Sequence, residues 1–162
     1  MTSTSNPVVI DAVPGQSYAD ISREFEAPAA AVFRAHADPE LFRVWIGPRS
    51  LQTSITHWDF RTGGGYRFEQ TDADGSVYAF RGVFHTIREN ELLIQTFEFE
   101  GMPDLVSLDV MRFEDLPGGR CRLVDHSVFP SVEVLEGMMA EGMEYGMNEG
   151  YEKLDEILAK GV

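Results

Sequence analysis

The sequence predicts an α+β domain in which a strongly curved antiparallel sheet of about seven strands wraps around a long C-terminal helix. Three observations predict it. From Leu51 to Phe129, short strand-like runs follow one another across turns too tight for the long crossovers that parallel neighbours need. After Pro130 the apolar spacing lengthens from two residues to three or four. Ahead of both, residues 21–48 read as one strand that feeds two short helices, giving the order β-α-α-β6-α.

Ile21, Arg23 and Phe25 alternate as in a strand, and Ala27-Pro28 stops it, because proline lacks a ladder donor and has a φ suited to a helix start. Ala29 to Ala37 are good helix formers. Asp38-Pro39-Glu40 is a second start signal, with Asp38 as N-cap, Pro39 at the first helical position and Glu40 near the positive helix end; Gly47-Pro48 closes that helix. Phe33, Leu41, Phe42, Trp45 and Ile46 then sit where they plug one end of the sheet.

Six further strands are expected. They run over Leu51 to Asp59, Tyr66 to Thr71, Val77 to Arg88, Leu92 to Glu100, Val106 to Glu114 and Arg120 to Phe129. Gly63-Gly64-Gly65, Asp74-Gly75, Glu89-Asn90 and Pro117-Gly118-Gly119 supply the turns. From Ser131 onward Val132, Leu135, Met139, Met143, Met147, Tyr151, Leu154 and Leu158 form one apolar stripe, so a single helix of ~40 Å is expected at ~1.5 Å per residue. Residues 1–16, rich in Ser, Thr, Pro and Gly, read as a flexible arm in which Val8 to Ile10 have the makings of an edge strand; residues 17–162 read as one domain.

The chain carries 27 acidic and 13 basic residues, a net charge of −14, which opposes binding to nucleic acid or to an anionic membrane. No apolar run approaches the ~20 residues of a membrane span, and the lone Cys121 offers no internal disulfide, so a cytoplasmic protein is expected. Four scattered histidines and one cysteine lack the compact spacing of metal motifs; neither a metal nor a cofactor is expected.

Met139, Met143 and Met147 recur every four residues on the stripe that meets the sheet, and methionine reshapes easily around ligands of different form. Gly142, Gly146 and Gly150 run beside them, each costing about 1 kcal/mol relative to alanine in a helix. Either they let the helix approach closely or they leave room above it. Strand parity puts Tyr66, Phe68, Phe80, Phe97 and their neighbours on the inner face, which suits both a filled core and a ligand cavity. Gln95, Asp109 and Asp125 share that inward parity, and a buried carboxylate without a partner costs several kcal/mol, so they reach the rim or form a polar end to the pocket. His57 and His126 are candidates for an acid/base pair meeting across the sheet.

Phe25-Glu26-Ala27-Pro28, Asp38-Pro39-Glu40-Leu41 with Trp45, Asp59-Phe60-Arg61-Thr62-Gly63-Gly64, Gly82-Val83-Phe84, Phe113-Glu114-Asp115 and Gly146-Met147-Asn148-Glu149-Gly150-Tyr151 stand in an order and spacing of their own. In these the chain resembles the START-like or Bet v 1-like (SRPBCC) helix-grip superfamily, in the branch named after the activator of heat-shock protein 90 ATPase. Tyr151 stands where that branch commonly has Trp. The resemblance implies the helix-grip fold and a cavity that takes lipids, polyketides or aromatic molecules in many members.

The first expectation is therefore a binding protein, rather than an enzyme, for a small, largely apolar molecule. Trp45, Trp58, Tyr66, Phe68, Phe80, Phe97, Met139, Met143, Met147 and Tyr151 are the expected lining. A cyclase or hydrolase using Asp109, Asp125 or His126 is the alternative; a co-chaperone-like interaction module is another. A sheet edge gives a homodimer a route to form, and no catalytic residue is assigned.

Overall fold

The computed structural model describes residues 6–161. Eight strands form one antiparallel sheet in the order β1-β2-β8-β7-β6-β5-β4-β3. They are β1 (Val9–Asp11), β2 (Tyr18–Phe25), β3 (Gln52–Asp59), β4 (Gly65–Thr71), β5 (Val77–Arg88), β6 (Leu92–Phe99), β7 (Ser107–Leu116) and β8 (Arg120–Val128). The helices are α1 (Ala29–Ala37), α2 (Pro39–Trp45), α3 (Val132–Ala140) and α4 (Met143–Ala159). The eighth strand is β1, which lies within the arm expected over residues 1–16 and pairs Val9 with Ser22 and Asp11 with Asp20. Residues 1–5 of that arm lie outside the described residues.

Alternation decides which face is which. On β2, Ala19, Ile21, Arg23 and Phe25 are buried while Asp20 is exposed; on β8 the buried positions are Cys121, Leu123 and Ser127. The register Ile21 to Asp125 and Phe25 to Cys121 aligns the two inner rows. Bulges between Ile55 and His57, and between Phe84 and Thr86, adjust the register of β3 and β5 and add local twist.

Both short helices form where their start signals stand. Asp38 Oδ1 accepts the Glu40 backbone N–H at 2.9 Å, and Gly47, at φ +80°, takes the left-handed turn that ends α2. Pro28 cannot cap α1 with a side chain. The Ala29 N–H instead donates to Asp115 Oδ1 of β7 at 2.9 Å, so a strand supplies the missing cap.

The single long terminal helix is corrected to two. Gly142 has φ +92°, a conformation that an L side chain adopts only with strain, and the chain turns there between α3 and α4. Ser131 caps α3 by accepting the Val134 N–H at 3.2 Å. The three glycines also do different work. A Cβ on Gly150 would stand 3.0 Å from the Trp45 carbonyl oxygen, one on Gly146 3.9 Å from Pro48 Cδ, and one on Gly142 would meet nothing. The close approach is thus between α4 and the end of α2.

Leu154 and Tyr151 carry α4 into the core, where Tyr151 stacks on Trp45 at 5.6 Å and meets the Phe25 edge at 5.4 Å. Arg23, 2 % exposed, holds both Asp155 carboxylate oxygens at 2.6 Å and lies 4.6 Å from the Phe25 ring. At the other end of the chain, the Val8 N–H donates to Asn148 Oδ1 of α4 at 2.9 Å.

Candidate functional site on the concave face

The inner face of β3 to β6 carries a chain of touching rings. Trp58 meets Tyr66 at 6.2 Å and Phe84 at 5.7 Å, Tyr66 stacks on Phe68 at 6.1 Å, Phe68 on Phe80 at 5.2 Å, and Phe80 on Phe97 at 5.4 Å. From the helix pair, Phe42 reaches Trp45, Trp58 and Phe68. Of the ten residues expected to line a site, Trp45, Tyr66, Phe68 and Tyr151 are buried among these rings. Trp58, Phe80, Phe97, Met143 and Met147 are half-buried and pack against the core, and Met139 on α3 is 40 % exposed.

Hydrogen bonds fix the polar edges of the rings. Trp45 Nε1–H donates to the Ala35 carbonyl and Trp58 Nε1–H to the Ala37 carbonyl, both at 2.9 Å; Tyr66 O–H donates to the Thr96 carbonyl at 2.7 Å. His36 is buried in α1 between the Trp45 and Phe113 rings. Its Nδ1 lies 2.8 Å from the Val32 carbonyl, which can only accept, so Nδ1 carries the proton. Burial lowers its pKa from 6.5 to about 4, holding the ring neutral.

On β7 and β8 the inner face turns polar. Asp109 faces Gln95 on one side and Ser127 on the other, and accepts the Ser127 hydroxyl at 2.8 Å. Asp125 lies one inward step along β8, opposite Met111. Burial raises the pKa of Asp109, and burial together with the neighbouring Asp109 charge raises that of Asp125 well above the usual carboxylate range. Tyr151 is pushed up mainly by burial and further by these two aspartates.

The histidine pair considered from the sequence does not assemble. His126 points outward and holds Asp20 at 2.7 Å, while His57 is exposed on β3 at the far edge of the sheet. His126 is therefore also absent from the inner face. Asp59 and Arg61 pair at the turn that follows β3. Among the described residues, no group of three or more His, Cys, Asp or Glu is arranged to hold a metal ion, and no helix is long and apolar enough to cross a membrane. A separate groove of about 510 Å³ opens between α2 and β3, bounded by Pro39, Glu40, Arg43 and residues 53–58.

The parity rule located most of these rings, but Phe60 and His36 escaped it. Phe60 meets Phe33, Trp58 and Phe84 from a turn, where no periodicity marks an inward position. His36 sits on a helix face whose inward residues are mostly alanine and valine.

A curved antiparallel sheet with a helix pair closing one end and a C-terminal helix across its concave face defines the helix-grip, Bet v 1-like class. The chain belongs to the family of activator of Hsp90 ATPase homolog 1-like proteins, whose model matches residues 26–159. Solved structures agree. A protein from Arthrobacter aurescens is 27 % identical, with 95 % of this chain and 92 % of that chain covered and a TM-score of 0.84. A protein from Mycobacterium smegmatis is 26 % identical, with 94 % and 97 % covered and a TM-score of 0.83. One from Rhodobacter sphaeroides, at 21 % identity, shares the fold, with 95 % and 99 % covered and a TM-score of 0.86. No curated protein matches the chain.

Proposed function

We propose that this protein binds a small, largely apolar molecule between the concave face of the sheet and the helices α3 and α4. One observation carries the reading: Phe80, Phe97, Met143 and Met147 pack against the core yet stay half-buried, and Phe97 lies one inward step from Asp109 on the neighbouring strand. Aromatic and thioether surface surrounding a few polar groups is the usual make-up of a small-molecule site. Burying that surface drives binding at roughly 25 cal/mol per Å², less the cost of association. A net charge of −14 favours a neutral or cationic ligand over nucleic acid or an anionic membrane. We assign the role to the cytoplasm, in keeping with a single, buried, unpaired Cys121.

The test is a panel of fatty acids, flavonoids and aromatic polyketides, read by thermal shift and by quenching of Trp45 and Trp58. A ligand of the native state raises the melting temperature in proportion to the logarithm of its concentration. A panel without any shift would overturn the cavity reading and favour an interaction module. The carboxyl pair also supports a second reading, acid catalysis on a bound polyketide, since burial and the neighbouring Asp109 charge raise the Asp125 pKa and favour the form that can donate a proton. Turnover of a panel member, abolished in Asp125→Asn, would establish that reading.

A further inference from the structure

The groove between α2 and β3 lies outside the concave face. Its strand wall is residues 53–58 without a gap. Successive side chains of a strand point to opposite faces, so a hollow over either face is bordered by alternate residues, whereas one bordered by six in a row opens on the strand's edge. β3 ends the sheet and pairs only with β4, and among the described residues no backbone hydrogen bond of a turn, loop or cap reaches residues 52–58. The N–H and C=O groups on its outer side therefore stand open beside a helix wall of Pro39, Glu40 and Arg43.

We propose that this groove takes an extended segment of another protein as a ninth strand, antiparallel to β3, with basic side chains at the C-terminal end of that segment. Little in β3 guards the edge. Charged side chains, proline and shortness are the usual defences, yet the eight-residue strand has no Lys, Arg, Asp, Glu or Pro between Leu51 and Trp58. The opposite edge, β1, has three residues and ends in Asp11. One bulge interrupts β3 at Thr56, whose hydroxyl donates to the Arg67 carbonyl at 3.2 Å, so the regular ladder open to a visitor runs from Gln52 to Ile55. An edge strand facing a helix is a shape in which added strands gain affinity from main-chain hydrogen bonds and specificity from alternate side chains.

Charge names the occupant. Along the groove Glu40 pairs with Arg43 at 3.1 Å, and at its far end Asp59 pairs with Arg61 at 3.0 Å, so these charges cancel. Gln52 is opposite Thr71, which puts the turn after β4 beside the near end. That turn carries Asp72 and Asp74, whose oxygens accept the N–H groups of Asp74 and Ser76 and the Tyr78 hydroxyl, and no basic side chain among the described residues pairs with either. The charge left over at the groove is therefore negative, at the end where an antiparallel visitor places its C-terminal residues. A second copy of this chain fits less well, since it brings a further net charge of −14. Side chains that the visitor turns inward meet half-buried Ile55, which suits β-branched residues.

The experiment titrates the nitrogen-15-labelled full chain at pH 7 with the end-blocked peptides TVTVTKK and TVTVTEE, read by amide shifts. The basic peptide should move the amides of residues 52–58, saturate below about 1 mM and bind at least about fivefold more tightly than the acidic one. Methylating its backbone nitrogens at alternate residues should abolish binding in one of the two phases, the one that removes the donors facing β3. Asp72→Asn combined with Asp74→Asn, two exposed turn positions that accept Asn, should bring the two peptides within about twofold while the strand shifts persist. A preference that survives in this variant would trace to the net charge of the chain alone and overturn the proposal. Shifts away from β3, indifference to methylation in both phases, or no binding by a monomeric chain would overturn it too. So would a dimer, seen by sedimentation, that covers residues 52–58 without any peptide.

Discussion

Replacing His36 by Asn tests how deeply the α1 plug is sealed. The imidazole is neutral in the folded protein, with its pKa lowered by burial to about 4, and titrates near 6.5 once unfolded. Between those values the unfolded chain binds more protons, so stability falls as the pH drops. The full gap is worth ~3 kcal/mol at ~1.4 kcal/mol per pH unit, and the part already lost at pH 5 is ~2 kcal/mol. Asn keeps an N–H able to reach the Val32 carbonyl but has no group that titrates in this range. It leaves a gap beside Trp45 and Phe113, a cost that is the same at every pH. Urea unfolding at pH 8 and pH 5 should therefore show wild type losing ~2 kcal/mol more than His36→Asn over that interval. Equal losses in the two proteins would mean that water reaches the ring, and the sealed-plug account would fall.

Other substitutions probe the remaining contacts. Gly146→Ala has room and should stabilise α4 by up to ~1 kcal/mol, whereas Gly150→Ala should destabilise by ~1–2 kcal/mol because its methyl meets the Trp45 and Gly47 backbone; melting temperatures that move the same way would refute this contrast. Asp155→Asn leaves Arg23 buried without its anion and should cost ~2–3 kcal/mol, below the ~3–5 of a fully buried pair because the Asp155 side chain is 39 % exposed. Asp125→Asn should raise the melting temperature at pH 8, since the raised carboxyl pKa means stability is lost as pH climbs past the ordinary carboxylate range. The gain should fade toward pH 4, and a pH-independent difference would contradict it.

Local chemistry made most of the fold legible. Asp38-Pro39-Glu40 and Pro130-Ser131 start helices where their caps predict, and turn signals such as Asp74-Gly75 and Pro117-Gly118-Gly119 set the strand ends to within one or two residues. The turn at Gly142 was not legible, because the apolar stripe continues through it and only the backbone reveals the positive φ. At the site, parity placed the rings of β4 to β6 on the inner face, since a strand has only two faces. It could not tell how closely those rings pack together, which depends on how far the sheet curls. The bond from Asp115 to Ala29 and the Asp109–Asp125 pairing join residues through tertiary register, and no single segment encodes them.

The bond from Val8 to Asn148 ties the front of the chain to its last helix across 140 residues. Peeling β1 from β2 breaks that tie, so loss of the amino-terminal edge also loosens α4. β1 and α4 therefore do not open independently, and amide protons of Val9–Asp11 should exchange in step with those around Asn148 instead of with the fast rates usual for short edge strands.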